Sequence, residues 1–562
     1  MSKLVDESIT IYEALKNIEQ GKYVMPAFQR QYVWSMEQIE KLWDSILLDY
    51  PISTFLFWHV DNSNILHDTY FCSFLSDVTF DSRKQSDSPN YDLTSIDTYY
   101  TDTAILDGQQ RFTSLYLSLM GQAGIRKKYA RKNAEKTLSE LLIELNKNKV
   151  ETNEEEYNSK KFDVKFTDKI GRISPTQFKM RDILKEEFQN KESREAEIEK
   201  NISNVPLDSK EYARNILTKL CSKIYEEKLI RYTEIYEMNQ DDALEMFVRF
   251  NSGGRPLRKS EITMSILEAY WPSAREQFGK TLVRSYENFG TDFIIRTALM
   301  LYGDVIKSNI TREIAESLKN DWNKFKQTLV DLEELLNEMK LDVTRYSSGW
   351  NVLLPIIYYI YYTQEYKENK KAIKAYLIRA IVFTYFQSGT TAKLQQMKTN
   401  INEFNYEITM EMLDQMNELR VTDGKIEDIL NEEKGSRVAG EVLYYLGLDW
   451  TNKHFKYELD HLHPFARFDT NKPPQVTIEK WKLWRGMRNR LPNLHLLEGR
   501  SNASKSDMRL IDYYNDMNEV QKQAFMEQAT IPKDVSLDFE DFDVFYEKRK
   551  EVLSNHIRAL LQ

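Results

Sequence analysis

The segment Glu458-Leu-Asp-His-Leu-His-Pro-Phe465 indicates how the C-terminal part of the chain folds. It has the pattern of a short strand ended by Pro464, because proline cannot donate to a strand ladder. About thirty residues later, Leu491-Pro-Asn-Leu-His-Leu-Leu497 predicts a turn that enters a second strand at Leu494. The segment Asn502-Ala-Ser-Lys505 follows, with its two polar ends one helical turn apart. Two short strands and a helix are therefore predicted here.

The polar residues of these segments are those that phosphodiester hydrolysis requires. The reaction needs a base for water, a divalent cation at the scissile phosphate and a fixed geometry between them. His461 is the predicted base, because a neutral imidazole accepts a proton near neutral pH. Asp460 and Asn502 offer hard oxygen ligands suited to Mg²⁺ or Mn²⁺. Asn493 could hold the loop that carries His461 by bonding backbone groups.

A local excess of positive charge accompanies these residues. Eight Lys and Arg residues lie between positions 480 and 509, against Glu498 and Asp507. A solvated charged face is the competing interpretation. We predict that four residues contact DNA: Lys505, His463, Arg488 and Arg490. For His463 the sequence leaves three roles open (second ligand, phosphate contact or base), with His461 favoured as base.

The order D-H-x-x-P, N-L-x-L-L and N-x-x-K resembles an HNH, or His-metal finger, nuclease domain of the kind found in GmrSD-type restriction proteins. The resemblance covers roughly residues 453–512 and implies a ββα-metal fold. It implies that His461 is the general base, that Asp460 and Asn502 hold the metal, and that Asn493 is structural. Asn502 stands where the last histidine of the HNH name would be.

A second constellation lies near the N-terminus, in Ile105-Leu-Asp-Gly-Gln-Gln-Arg-Phe-Thr113. An apolar strand runs into Asp107-Gly108, and a helix is predicted from Gln109 or Gln110. A helix N-terminus presents unpaired N–H groups that suit a phosphate, and Arg111 can fork onto phosphate oxygens. The alternative is a structural turn in which Arg111 pairs with Asp107.

The segments Pro26–Trp34 and Phe250–Leu257 accompany this motif. Together the three resemble the N-terminal domain of the same GmrSD-like family, which is related in fold to ParB and sulfiredoxin. That resemblance implies binding of GTP or ATP, with Asp107 and Arg111 in hydrolysis. The predicted nucleotide-binding residues are Gln29, Arg30, Asp107, Gly108, Gln109, Gln110, Arg111 and Asn251.

We predict an α+β protein with three domains. Residues 1–260 form a ParB-like α/β domain with a charged, partly exposed helical insertion at about 126–228, and 82–95 is a loop. Residues 261–447 form an all-helical domain, and residues 448–562 the HNH-type nuclease domain. Residues 274–281 satisfy a loose Walker A pattern, but the preceding residues are helical in pattern rather than a strand, so we regard it as fortuitous.

Composition limits the function. The net charge of −10 argues against a protein that coats nucleic acid indiscriminately. Two cysteines and no signal-peptide pattern indicate a cytoplasmic protein without disulfides or membrane contact. The prediction is a nucleotide-regulated, metal-dependent DNA endonuclease in bacterial phage defence, restricting modified DNA sensed near Tyr32 and Trp34. The alternatives are a regulatory binding protein with a non-catalytic HNH-like domain, and an RNase or toxin. Oligomeric state is left open.

Overall fold

The computed structural model describes residues 3–29, 32–60, 69–81, 101–126, 137–149, 160–167, 173–252, 259–305, 310–363, 365–451, 457–470, 472–498, 505 and 507–562. They form two compact units, Met1–Arg275 and Glu276–Gln562. The predicted loop at 82–95 lies wholly outside the described residues.

The first unit is built on a six-stranded sheet in the order β1-β12-β3-β6-β2-β4. Its strands are β1 (Leu4–Ile9), β2 (Tyr23–Pro26), β3 (Phe55–His59), β4 (Phe71–Cys72), β6 (Thr103–Asp107) and β12 (Ile230–Ile235). Strand β2 runs parallel to β6, and β12 parallel to β3, while the other neighbours are antiparallel. The sheet is therefore mixed, as expected of an α/β domain that is not a regular βαβ repeat.

Side chains alternate between two apolar cores on either side of this sheet. Phe55 and Phe57 face a core shared with helices α1 (Ile11–Glu19), α2 (Met36–Leu47) and α3 (Gln109–Leu119). Leu56 and Trp58 face the other side, where Phe247 of α7 (Gln240–Ser252) and Ala269 of α8 (Lys259–Tyr270) pack. The period of two along β3 thus places a helical layer on each face of the sheet.

Local signals determine where the first two helices begin. Thr10 caps α1, and Glu13 bonds back to the Thr10 backbone. Ser35 and Gln38 form the same reciprocal arrangement at α2. Such capping boxes satisfy N–H groups that the first turn of a helix leaves unpaired.

The segment predicted as an exposed helical insertion is different in the structure, and that prediction is wrong. It contains the three-stranded sheet β10-β9-β11 and several helices, and its strand β8 completes a second sheet with β5 and β7, which precede the segment. Their strands are β5 (Asp77–Asp81), β7 (Gln122–Arg126), β8 (Thr137–Ser139), β9 (Leu141–Glu144), β10 (Val164–Phe166) and β11 (Gln177–Lys179). The helices are α4 (Glu186–Gln189), α5 (Lys191–Asn201) and α6 (Lys210–Cys221). Ile143 and Phe178 are buried in the same core as Phe57, so the segment belongs to the domain core.

The second unit is mostly helical. Its helices are α10 (Thr291–Tyr302), α11 (Arg312–Asn320), α12 (Trp322–Glu338), α13 (Leu354–Tyr362), α14 (Lys370–Val382), α15 (Thr390–Glu403), α16 (Met410–Gln415), α17 (Asp423–Leu430), α18 (Arg437–Leu446), α19 (Ile478–Met487), α20 (Leu510–Asn515), α21 (Glu519–Gln528) and α22 (Phe542–Leu561). An antiparallel pair, β13 (Tyr457–His461) with β14 (Leu494–Glu498), is set among them. The predicted nuclease segment and the predicted helical segment from residue 276 onward thus lie within one compact unit, while residues 261–275 belong to the first unit.

These elements confirm the α+β class, with a sheet in the N-terminal part and helices in the C-terminal part. The loose Walker A segment forms α9 (Ala274–Thr281), a continuous helix without the loop that a phosphate cradle requires. In the described parts of the chain, no helix is long and apolar enough to cross a membrane.

Candidate active site

The hairpin β13–β14 places the predicted catalytic residues at one end of two paired strands. Asp460 lies opposite His495, and His461 lies opposite Leu494. Strand β13 ends at His461, so His463 is already in the following turn. The two histidines therefore do not share a strand face, and their surroundings differ.

Asn493 ties this turn to the start of β14. Its Oδ1 accepts a hydrogen bond from the backbone N–H of His463 at 3.0 Å. Its Nδ2 donates to the carbonyl oxygens of His463 at 3.0 Å and Arg488 at 2.7 Å. The side chain is fully buried, so losing these bonds would leave polar groups without water to replace them. Asn493 thus occupies the loop-holding position proposed for it from the sequence.

Arg549 of α22 also holds this loop. The sequence analysis did not identify this residue. The guanidinium donates to the carbonyl oxygens of Pro492 at 2.5 Å, Leu494 at 2.8 Å and Ala529 at 3.0 Å. Burial lowers the pKa of Arg549 to about 9. The sequence does contain a signal for this role, because Arg549 lies between Phe545 and Leu553 on the apolar face of its helix, where a basic residue is unusual.

His461 is held as a neutral imidazole with one nitrogen committed. It is 7% exposed, and its Nε2–H donates to Oδ1 of Asn489 at 3.0 Å. Burial lowers the pKa of His461, and the bond with Asn489 partly opposes that shift. With Nε2 protonated, Nδ1 carries the lone pair that can accept a proton. Asn489, which nothing in the sequence distinguished from other asparagines, in turn donates to Oε2 of Glu433 at 3.1 Å.

Asp460 is held as a carboxylate among basic groups. Nζ of Lys505 lies 2.5 Å from its Oδ2, and Nε2 of His495 lies 3.8 Å from the same oxygen. Burial acts to raise the pKa of Asp460, but His495 and Lys505 outweigh it, so the pKa is well below its usual value. Lys505 also donates to the carbonyl oxygen of His461, which joins the two neighbouring residues.

The structure corrects two of the predicted DNA contacts. His463 is 1% exposed and surrounded by the rings of Phe539, Phe542 and Phe545. Burial lowers the pKa of His463 to about 3. Lys505 is likewise 1% exposed. Neither side chain is available to a phosphate, because one packs in an apolar core and the other pairs with Asp460.

Arg488 and Arg490 remain nearer the surface but are engaged. Nη1 of Arg488 lies 2.6 Å from Asp469, and its guanidinium stacks 3.9 Å from the centre of the Phe465 ring. Nη1 of Arg490 donates to Asn431 at 2.7 Å. DNA contact by these two residues stays a prediction.

The donor groups around Asp460 fit a divalent cation in part. The carboxylate is ionised, and Nε2 of His495 is buried without a hydrogen-bond partner in the described structure. Asn502, the other predicted ligand, lies outside the described residues. Among the residues that are described, no group of three or more His, Cys, Asp or Glu side chains is placed to hold a metal.

A cavity of about 1060 Å³ adjoins the hairpin on the side of Tyr457 and Leu459. Its charged side chains balance, with Lys340, Arg345 and Arg437 against Asp342, Glu441 and Asp449. Two of these pairs are direct ion pairs, at 2.7 Å for Lys340–Asp449 and 2.8 Å for Arg345–Glu441. The cavity therefore offers little net charge to a phosphate.

The N-terminal motif forms the predicted strand, glycine turn and helix. Strand β6 ends at Asp107, Gly108 has φ 93°, and α3 begins at Gln109. A Cβ on Gly108 would lie 2.1 Å from the Phe55 ring, so the position requires glycine for both backbone and packing. The Asp107 side chain is half exposed at the mouth of this turn.

Arg111 lines the small cavity beside this turn, and its guanidinium also bonds the backbone. Nη2 donates to the carbonyl oxygen of Thr54 at 3.0 Å, and Nη1 donates to that of Ile52. The guanidinium lies 4.3 Å from the centre of the Phe55 ring and 3.6 Å from Asp107. Burial lowers the pKa of Arg111, opposed by Asp107. The Arg111–Asp107 pair of the structural alternative is thus present, and nucleotide binding by Arg111 stays a prediction.

Two further predicted nucleotide ligands also bond the backbone. Nε2 of Gln29 donates to the carbonyl oxygens of Ile105 at 3.1 Å and Leu106 at 2.8 Å. Oε1 of Gln110 accepts from Val33 N–H at 2.9 Å. Gln109 is buried as well.

Arg30 and the side chain of Asn251 lie outside the described residues. Tyr32 is buried, 2.8 Å from Ser114, so it is not placed in a pocket for modified DNA. A cavity of about 180 Å³ remains beside the turn, lined among others by Trp34, Asp107, Gly108 and Phe247.

The mixed sheet and the buried histidine–aspartate hairpin define the chain as a two-unit α+β protein with a candidate hydrolytic site. Residues 11–268 match the family model of the GmrSD restriction endonuclease N-terminal domain. The N-terminal part of the chain is therefore similar to the N-terminal domain of GmrSD-type restriction endonucleases.

An uncharacterized protein of Methanocaldococcus jannaschii is 27% identical over 117 residues. The aligned part covers 21% of this chain and 18% of that protein, so the likeness is confined to a segment.

Proposed function

We propose that this chain is a metal-dependent DNA endonuclease of a phage-restriction system, with its reaction centre at the end of β13. The observation that carries the proposal is the pairing of a neutral, oriented His461 with an ionised Asp460 on adjacent residues. The GmrSD restriction endonuclease family of the N-terminal part supports DNA as the substrate.

His461 is the general base in this proposal. Nε2–H is fixed by Asn489, which leaves Nδ1 to take a proton from water. Asn493 and Arg549 hold the turn behind His461, and Lys505 joins the carboxylate of Asp460 to the His461 backbone. These contacts keep the base oriented before the substrate arrives.

Asp460 would hold a divalent cation, Mg²⁺ or Mn²⁺, together with Asn502. When bound, such a cation supplies neutralisation of the phosphate charge that builds up during hydrolysis. The depressed pKa of Asp460 supports this role, because the carboxylate is ionised at every pH at which the protein would work.

The match of the N-terminal part to a restriction endonuclease family supports DNA as the substrate class. Restriction implies discrimination between invading and host DNA, and we propose that modified phage DNA is the substrate. With one such site per chain, the first product is a nick, and a double-strand cut needs a dimer or a second encounter.

We also propose that the cavity beside Gly108 receives a phosphate group of GTP or ATP. Its volume of about 180 Å³ suits a phosphate rather than a whole nucleotide, and the start of the 11-residue helix α3 lies there. Asp107 is the exposed carboxylate that would hold a magnesium ion or a water. Titration with a fluorescent nucleotide tests this, since Asp107→Asn should change its affinity in the presence of Mg²⁺.

Plasmid cleavage tests the nuclease proposal. Supercoiled plasmid and modified phage DNA are incubated with Mg²⁺ or Mn²⁺, with and without GTP or ATP. His461→Ala is compared with His556→Ala, a matched change on the exposed face of α22. The wild type and the His556 variant should nick DNA, whereas the His461 variant should not. Equal activity of all three proteins on every DNA would refute His461 as the base, and cleavage of RNA alone would indicate an RNase.

A further inference from the structure

Nε2 of His495 is a buried nitrogen without a partner, beside the carboxylate of the proposed reaction centre. His495 is 2% exposed, and Nε2 has no hydrogen-bond partner in the described structure. A buried unsatisfied nitrogen costs about 1–3 kcal/mol, so its presence needs an explanation. Oδ2 of Asp460 lies 3.8 Å from it, which is too long for a direct hydrogen bond.

The separation of these two atoms suits a shared metal ion. Metal–nitrogen and metal–oxygen bonds are about 2.0–2.2 Å, so two ligands of one ion lie about 3–4 Å apart. The pairing of Asp460 with His495 across β13 and β14 sets this spacing through the backbone. The His495 ring also meets Phe525 edge-on, with 5.8 Å between centroids, and this contact restricts its rotation.

Lys505 does not exclude an ion from this position. Its Nζ uses one lone pair of Oδ2, and an ionised carboxylate offers about four acceptor positions. Oδ1 of Asp460 lies 3.8 Å from Nζ of Lys434, which is too far for a direct hydrogen bond. The carboxylate therefore keeps acceptor positions for a metal.

We propose that His495 is a ligand of the same divalent ion as Asp460, an inference that rests on the proposed nuclease function. An imidazole in the ligand set favours first-row transition ions such as Mn²⁺, Fe²⁺, Ni²⁺ or Zn²⁺ over Mg²⁺, which prefers oxygen. The site is thus a mixed oxygen–nitrogen site, and His495 determines which metal it selects.

Binding of Mn²⁺ to the full chain, followed by electron paramagnetic resonance, tests this without measuring cleavage. Pulsed spectra of the wild type should contain modulation from a directly bound imidazole nitrogen. The modulation should persist in His461→Gln, since His461 acts as base, and disappear in His495→Gln. Mn²⁺ affinity should fall at least about tenfold in His495→Gln, with a smaller change for Mg²⁺.

The outcomes separate the two proposals. Absence of the nitrogen modulation in the wild type, or its persistence in His495→Gln, overturns the role of His495. If Asp460→Asn abolishes Mn²⁺ binding while His495→Gln leaves it unchanged, only the His495 inference fails. If Asp460→Asn also leaves Mn²⁺ binding unchanged, the ion is elsewhere and the proposed reaction centre fails with it. Should His495→Gln unfold, the wild-type spectrum and His495→Asp, which substitutes an oxygen ligand, decide the question.

Discussion

The turn at Asp107–Arg111 and the hairpin end at Asp460–His461 are built alike, yet they leave different groups free. Both have an aspartate as the last or next-to-last residue of a strand, and polar side chains that bond backbone carbonyl oxygens. In the N-terminal turn, Arg111 is itself the side chain that holds the loop. At the hairpin, Asn493 and Arg549 hold the loop. His461 and Asp460 therefore keep lone pairs that can accept a proton or a metal ion. A polar motif is therefore a stronger catalytic candidate where residues outside the motif make the hydrogen bonds that hold its loop.

The largest expected effect is at Asp460. Asp460→Asn should lower the rate constant of DNA cleavage at least about a hundredfold, because it removes the charged ligand of the proposed metal. Asp516→Asn, on the exposed end of α20, is the matched control and should leave the rate unchanged. The rate constant is measured with plasmid DNA under single-turnover conditions. A rate within twofold of wild type for Asp460→Asn would remove the proposed distinction between the two motifs.

The scaffold of the hairpin is tested next, at Arg549. Arg549→Met should lower the free energy of unfolding of the second unit by about 3 kcal/mol, because several buried carbonyl oxygens lose their donor. Urea unfolding measures this effect, with the exposed Arg558→Met of the same helix as comparison. An equal, small effect of both changes would indicate that Arg549 does not hold the loop.

The burial of His463 predicts a dependence of stability on pH. Its folded pKa of about 3 lies below the usual 6.5, so between these values the unfolded chain binds a proton that the folded chain does not. The free energy of unfolding should therefore fall as pH falls from about 6.5. At pH 5, the protonation of His463 in the unfolded chain should lower it by about 2 kcal/mol relative to neutral pH. Urea midpoints at pH 7 and pH 5 should differ less in His463→Gln than in wild type. An unchanged pH dependence in that variant would place His463 in a more polar environment.

The smallest effect is expected at Arg111. Arg111→Met should lower the stability of the first unit by about 1–2 kcal/mol, through loss of its bonds to Ile52 and Thr54. Nucleotide affinity should change less than about twofold, because the guanidinium is already engaged by these carbonyl oxygens and by the Phe55 ring, although it lines the cavity. Thermal unfolding and nucleotide titration of the same variant measure both quantities. A large loss of affinity with unchanged stability would instead make Arg111 a ligand-binding residue.

Much of this architecture could be predicted from the sequence because its signals are local. The strand–glycine–helix at Thr103–Leu119 and the two strands around Asn493 follow from patterning and from residues with special backbone properties. The prediction for the charged segment 126–228 was wrong because its strands are short, at three to four residues, and Lys and Glu dominate between them. Short apolar runs carry little periodicity, so helix and strand are hard to distinguish there.

By itself, the sequence determined which chemistry is available: an aspartate beside a histidine at a strand end, an asparagine that can bridge backbone groups, and a glycine where φ must be positive. Only the tertiary structure decided the environment of each group. It buried His463 among phenylalanines, paired Lys505 with Asp460, and brought Arg549 from a distant helix to the loop at Asn493. The physical reason is that backbone preferences act over a few residues. Burial, pKa and hydrogen-bond partners depend on side chains that are far apart in the chain.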